Sequence, residues 1–264
     1  MSKRATLDGP SLTDIPVARP SSTVVLAREA PGAPELLMVR RHEKSSFGGA
    51  FAFPGGVLED ADGLVAAQCD GVTPEQADAL LGIENGLNYL SAAIRELFEE
   101  SGVLLADTGD SDVDLDTVRD ELNRGDRDWG TFVTATGVRL HCSVLNYFSY
   151  WITPEALPKR YSTRFFPAAM PDDQDALHCG GELTDSCWLS AEDALRAERE
   201  GSMLMHFPTI MTLESLALHE SLDAMLHWAA SRGAEGVPCI FPEIGKRDGE
   251  SRVIVAGHDA GALK

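Results

Sequence analysis

The run Arg95-Glu96-Leu97-Phe98-Glu99-Glu100-Ser101-Gly102-Val103 decides how the chain is read. It forms the middle and end of a helix expected to begin near Asn88 to Ser91. At about 100° per residue, Leu90, Ile94, Leu97 and Phe98 share one arc, with Ala93 at its edge. Glu96, Glu99 and Glu100 take the opposite arc, with Arg95 beside Glu99. Like charges one turn apart cost a helix about 0.2–0.5 kcal/mol per pair, and no lysine lies within a turn to relieve them. Gly102 stands where a left-handed C-terminal glycine stops a helix. One reading is a solvated acidic face; the other is a bed for a hard divalent cation.

The segment upstream separates the two. Phe53-Pro54-Gly55-Gly56-Val57-Leu58-Glu59 follows a strand-like run, and Asp62 comes six positions after Gly56. Together with Arg95, Glu96, Leu97, Glu99, Glu100, Gly102 and Val103, this resembles the Nudix box, G-x5-E-x7-R-E-U-x-E-E-x-G-U with U aliphatic. Asp62 stands where the pattern has its first glutamate. The box is split: Gly56 and Arg95 are 39 positions apart, against 14 in the uninterrupted pattern. A split box after F-P-G-G-V-L-E is similar to the Nudix branch that includes peroxisomal coenzyme A diphosphatases.

The resemblance implies an α+β fold, a Nudix-type α/β/α sandwich with a mixed β-sheet and helical insertions. It implies Mg²⁺ (or Mn²⁺) as cofactor, held by Glu96, Glu99 and Glu100 and by backbone at Gly55 and Gly56. Arg95 would fix a carboxylate, and one of the glutamates would orient or deprotonate the attacking water. The implied reaction is cleavage of a diphosphate linkage in a nucleoside diphosphate derivative. Coenzyme A or an acyl derivative, split into 3′,5′-ADP and a phosphopantetheine product, is the favoured substrate. NADH, ADP-ribose and nucleotide sugars are alternatives, as is a domain that senses a nucleotide without turning it over.

The chain has 264 residues, 44% of them hydrophobic, enough for one large domain with additions. The expected division is a flexible lead-in at 1–20, a main domain at 21–232 with an insertion at about 62–88, and an extension at 233–264 packed on it. A net charge of −20 argues against binding duplex nucleic acid by phosphate neutralisation. An anionic substrate must then be drawn in by metal and a few local arginines. Five scattered cysteines without a C-x-x-C pair read as reduced, mostly buried thiols of a cytoplasmic protein. The polar start is not expected to be a signal peptide, and Gly261-Ala262-Leu263-Lys264 is not an S-K-L type address. No apolar run approaches the ~18 residues of a membrane span.

In chain order, Ser22 to Ala27 and Glu35 to Arg41 are expected to pair as a hairpin across Ala30-Pro31-Gly32-Ala33-Pro34. Arg40 and Arg41 end the second strand and are candidate substrate contacts. Glycines at 55 and 56 let backbone approach a ligand closely, or simply make a tight turn. Thr73-Pro74 starts a short helix ending by Gly82. Glu59, Asp60 and Asp62 either reach the metals or are solvated. The acidic stretch Asp107 to Asp116 reads as a loop before a helix at Leu115 to Asn123, with a second helix at Trp129 to Thr136. His141 to Trp151 reads as an aromatic core strand.

Pro158 to Phe166 gathers Lys159, Arg160 and Arg164 in a chain poor in cations. It is similar to an R-x-x-T-R-F-F segment of the same branch. Arg160 or Arg164 would hold a substrate phosphate bidentately; the alternative is ordinary pairing to surface acids. Glu182 to Ser190 resembles the branch's E-x5-W-L segment. This makes Glu182 a candidate extra ligand or general base, with His178 a lesser rival. A helix from Ser190 to about Arg199 is followed by a long one from Pro208 to Ala230. Two strand-like runs after Gly233 either cover the site or pair with a second copy of the chain as a homodimer.

Overall fold

A computed structural model describes residues 15–42, 48–109, 113–177, 183–247, 250–255 and 258–262. The strands are β1 Arg19–Arg28, β2 Glu35–Arg41, β3 Phe51–Ala52, β4 Gly55–Val57, β5 Ala106–Asp107, β6 Arg139–Leu140 and β7 Ser149–Ile152. They continue with β8 Tyr161–Ala169, β9 Leu183–Ser190, β10 Cys239–Ile240, β11 Glu243–Arg247, β12 Glu250–Val255 and β13 His258–Ala262. The helices are α1 Pro74–Leu81, α2 Gly86–Ser101, α3 Leu115–Arg124, α4 Trp129–Thr136, α5 Ala191–Arg199, α6 Phe207–Leu216 and α7 Leu222–Glu235, with a 3-10 helix at Asp60–Gln68.

Strand β1 explains the layering. Its side chains alternate between faces, and both faces are apolar: Val24 and Leu26 join one core, Val25 and Ala27 the other. In β2, Leu37 and Val39 repeat the first set, and Leu36 and Met38 the second. A sheet with two apolar faces needs helices on both. Helices α1 to α4 contribute to the first core, and α5 to α7 to the second. This is the mixed-sheet α/β/α sandwich, its main sheet ordered β10-β7-β8-β1-β2-β3, with β4 on β1 and β9 on β2. β1 runs parallel to β8 from Arg19↔Tyr161 to Ala27↔Ala169.

The hairpin opens after two pairs, Ala27↔Leu36 and Arg28↔Glu35. Beyond them β4 takes β2's place along Ser21, Ser22 and Thr23, which carries the two glycines into the sheet beneath α2.

Two expectations change. The single helix over 208–230 is two, α6 and α7. Ser221 caps the second by accepting the Ala224 N–H, and a Glu29 carboxylate takes the Leu222 N–H. Across both, Leu213, Leu216 and Met225 are buried, with Ile210, Ala217 and Trp228 packed against them. The strand over 141–151 shrinks to β7, because Cys142–Val144 turns as a 3-10 helix and Asn146 bonds out to the Pro167 carbonyl. Tyr147, Phe148 and Trp151 are core all the same. At the C-terminal end, β10 extends the main sheet beside β7, and β11 to β13 form a separate antiparallel sheet. Among the described residues no helix is long and apolar enough to cross a membrane. Cys69 and Cys142 are buried, Cys187 half-buried and Cys239 exposed, all four as thiols.

Candidate active site

Helix α2 begins at Gly86, earlier than the sequence suggests. The Asp78 carboxylate accepts the Gly86 N–H at 2.6 Å, and the glycine lies against the Ala77 backbone where a Cβ has no room. It ends as read, with Gly102 left-handed at φ 78° and its N–H bonded to the Phe98 carbonyl. A helix leaves its last carbonyls without partners. Here α3 supplies them: Arg119 donates to the carbonyls of Glu99 and Glu100, and Asn123 to that of Glu99. The glutamate-bearing turn is thus held from behind.

The outer arc of α2 is not a solvated face. Arg95 is 1% exposed and Glu100 4%. The Arg95 guanidinium grips Asp62, Nε to Oδ1 at 3.0 Å and Nη2 to Oδ2 at 3.1 Å. Nη2 also reaches the Val57 carbonyl. Its remaining nitrogen, Nη1, donates to Glu96 at 2.9 Å and to Glu99 at 3.3 Å. Those two carboxylates therefore meet at one atom. Asp62, at the first turn of the 3-10 helix, also accepts the Glu59 N–H at 2.8 Å. Asp62, not Glu59, is thus the acidic partner of the box arginine.

Glu100 points under the strand and accepts the Gly55 N–H at 2.9 Å. A Cβ on Gly56 would fall inside the Glu96 carboxylate, and one on Gly55 against the Ser22 carbonyl and Thr23. Both positions need glycine because something already occupies the space. The glycine pair and the three glutamates are one constellation.

Burial, the strongest influence on Glu99, pushes its carboxyl up to about 7. Arg95 pulls it down, while Glu96, Glu59 and Asp62 push it further up. Burial also works against the charge on Arg95, yet Glu96, Asp62 and Glu99 together hold its pKa above the ordinary arginine value.

Among the described residues no group of three or more His, Cys, Asp or Glu side chains is arranged to hold a metal ion. Glu96 and Glu99 turn to Arg95, and Glu100 to the Gly55 amide. The donor set is nonetheless all oxygen, carboxylates beside glycine backbone, which suits a hard divalent cation. In kind, though not in their present arrangement, these donors suit Mg²⁺ or Mn²⁺.

The other candidates lie apart. Arg40 is half-buried, with a long 3.4 Å contact from Nε to the Gly49 carbonyl. The Arg41 side chain, Glu182 and His178 lie outside the described residues. Arg160 turns inward to the carbonyls of Thr153 and Pro16. Arg164, 3% exposed, is held between the rings of Tyr89 and Tyr150 at 4.5 and 4.2 Å. Neither of these two presents a free fork to solvent. Sequence reading missed Ser91, whose hydroxyl reaches Asp62 from behind, and Trp129, whose indole N–H holds Ser91. Ser91, four residues before Arg95, reads as a small core residue, and Trp129 gives no signal at all.

A mixed sheet between two helical layers, with a split glycine–glutamate box closed by a buried Arg–Asp pair, is the Nudix architecture, and the chain is similar to Nudix hydrolases. Known proteins give the same placement. The protein named "Putative nudix hydrolase 7" of Caenorhabditis elegans is 25% identical over 211 residues, 78% of this chain and 62% of that protein's length. Acyl-coenzyme A diphosphatase NUDT19 of Xenopus laevis is 24% identical over 291 residues, 85% of this chain and 76% of that one. The crystal structure of a NUDIX hydrolase from Alicyclobacillus acidocaldarius aligns with TM-score 0.69 at 26% identity, over 80% of this chain and 96% of that one. No protein-family model matches the chain.

Proposed function

We propose that this protein hydrolyses a diphosphate linkage in a nucleotide derivative with the help of Mg²⁺ or Mn²⁺. The observation that carries the reading is that Glu100 accepts the Gly55 N–H and the Glu96 carboxylate borders Gly56, while Arg95 holds Glu96 and Glu99 together. Glu96, Glu99 and Glu100 are the side chains that would hold the metal, with backbone at the glycine pair. When bound, such an ion neutralises diphosphate charge and makes a coordinated water more acidic. Arg95 keeps two acids near one another without letting them drift into solvent. One of the three glutamates would orient or deprotonate the attacking water. Burial of the helix behind them limits the motion of all three.

Coenzyme A or acyl-coenzyme A is the proposed substrate, yielding 3′,5′-ADP and a phosphopantetheine product. The split box and the likeness to the Xenopus laevis acyl-coenzyme A diphosphatase support it. Arg40 remains a proposed substrate contact, and Glu182 a proposed auxiliary acid. The test is to incubate the protein with coenzyme A, acetyl-coenzyme A, NADH and ADP-ribose, with and without Mg²⁺, and weigh the products by mass spectrometry. Metal-dependent 3′,5′-ADP is expected, cut by roughly 10²–10⁴ in Glu99→Gln. Equal rates with chelator, or in the variant, would remove the reading; cleavage of ADP-ribose or NADH alone would move the substrate.

A further inference from the structure

Behind the Arg95–Asp62 pair lies a chain of hydrogen bonds that the box itself does not contain. Trp129, the first residue of α4, is 1% exposed, and its indole Nε1–H donates to the Ser91 hydroxyl at 2.9 Å. An indole nitrogen only donates, so it fixes Ser91 as the acceptor in that contact. The single hydroxyl proton of Ser91 is then left for Asp62, whose Oδ1 lies 3.4 Å away. Ser91 is itself fully buried. Oδ1 of Asp62 thus takes Ser91 and the Arg95 Nε, while Oδ2 takes the Glu59 amide and the Arg95 Nη2. Only Nη1 of the arginine faces the glutamates.

We propose that Trp129 and Ser91 are positioning residues for the metal site. They orient Asp62, which sets the plane of the Arg95 guanidinium, which sets where Glu96 and Glu99 rest. Helix α4 also packs on the 3-10 helix carrying Asp62, its Gly130 close against Leu64. The part of the chain after the box therefore steers the carboxylates without touching them. Partners one step removed from metal ligands commonly control affinity by 10- to 100-fold; Ser91 and Trp129 act from further back, through Asp62 and Arg95, so the lower end applies. The inference rests on the reading of Glu96, Glu99 and Glu100 as metal ligands.

The test uses the full chain and Mn²⁺ alone, followed by electron paramagnetic resonance of the free ion, in Ser91→Ala, Trp129→Phe and the double variant. Circular dichroism identifies which variants are folded, and Trp129→Phe keeps the ring if Ser91→Ala does not fold. Each folded variant is expected to weaken Mn²⁺ binding about tenfold. The double variant should be little worse than either single one, because the two act in series. On a substrate the wild type cleaves, kcat should fall while KM holds. Folded variants that bind Mn²⁺ like the wild type would overturn the inference while leaving the metal reading intact, as would penalties that simply add. A wild-type chain that binds no Mn²⁺ would remove both.

Discussion

Arg95 and Asp62 stand 33 residues apart in the chain yet meet through two near-parallel contacts, with side chains 1% and 0% exposed. A buried ion pair of this kind adds little net stability over apolar packing, but removing one partner strands the other, at about 3–5 kcal/mol. The expected outcome is that Asp62→Ala lowers the urea-unfolding free energy by an amount in that range. Arg95→Met should do the same, and Arg95→Met with Asp62→Leu should lose much less than the two together. A full sum in the double variant would mean that the pair does not work as a unit.

Glu99 makes stability depend on pH in a direction opposite to that of an ordinary salt-bridged acid. Its folded carboxyl sits near 7, pushed there first by burial, against 4.5 for the group in free solution. Between those values the folded state holds more protons than the unfolded one, so stability falls as pH rises. In ion-free protein the loss across this window is bounded by roughly 3 kcal/mol, and Glu99→Gln should flatten it. A metal that takes Glu99 as ligand must displace its proton. Calorimetric titration of Mg²⁺ near pH 6, in buffers of different ionisation enthalpy, is therefore expected to register release of up to about one proton per ion. Heats independent of buffer would rule out Glu99 as the ligand that titrates.

The glycines at 55 and 56 are expected to differ in what they protect. A Cβ on Gly55 meets backbone, the Ser22 carbonyl and Thr23, which cannot move without disturbing β1. Gly55→Ala should therefore destabilise by about 1–3 kcal/mol. The atoms nearest a Cβ on Gly56 belong to the Glu96 carboxylate, the far end of a side chain rather than backbone. Gly56→Ala should keep most of the melting temperature and lose Mn²⁺ affinity instead, as the carboxylate is pushed off the strand. Equal melting temperatures with unchanged Mn²⁺ binding in both variants would contradict this division.

What could be read from the sequence was local. The arc of Leu90, Ile94, Leu97 and Phe98, the stop at Gly102 and the cap at Thr73 follow from helical period and terminal chemistry. The glycine pair and the glutamates carried the family resemblance because the spacing within each half of the box survives, although the insertion separates the halves. What could not be read depended on contacts between distant segments. Whether Asp62 or Glu59 answers Arg95 is decided by the turn of the 3-10 helix, where Glu59 gives its backbone N–H and Asp62 its side chain. Arg160 and Arg164 look free in a chain poor in cations. The fold spends them on carbonyls and tyrosine rings because β8 lies next to β1 in the middle of the sheet. The break between α6 and α7 depends on Glu29, more than 190 residues earlier.

Glu100 joins the helix to the glycine strand, and its two roles can be separated. Its carboxylate accepts the Gly55 N–H at 2.9 Å in a buried setting, and an amide oxygen can accept the same bond. Glu100→Gln is therefore expected to keep the fold, with a melting temperature close to the wild type, while Mn²⁺ affinity and turnover fall because a charged donor is gone. Glu100→Ala removes both. It leaves the Gly55 N–H unpaired, which adds about 1–3 kcal/mol of destabilisation to the same loss of metal binding. Thermal melts and Mn²⁺ titrations on the two variants check the separation. If Glu100→Gln melts as low as Glu100→Ala, the negative charge itself holds the strand. If its Mn²⁺ affinity is unchanged, Glu100 is a strut for the glycine pair and the ion is held by Glu96 and Glu99.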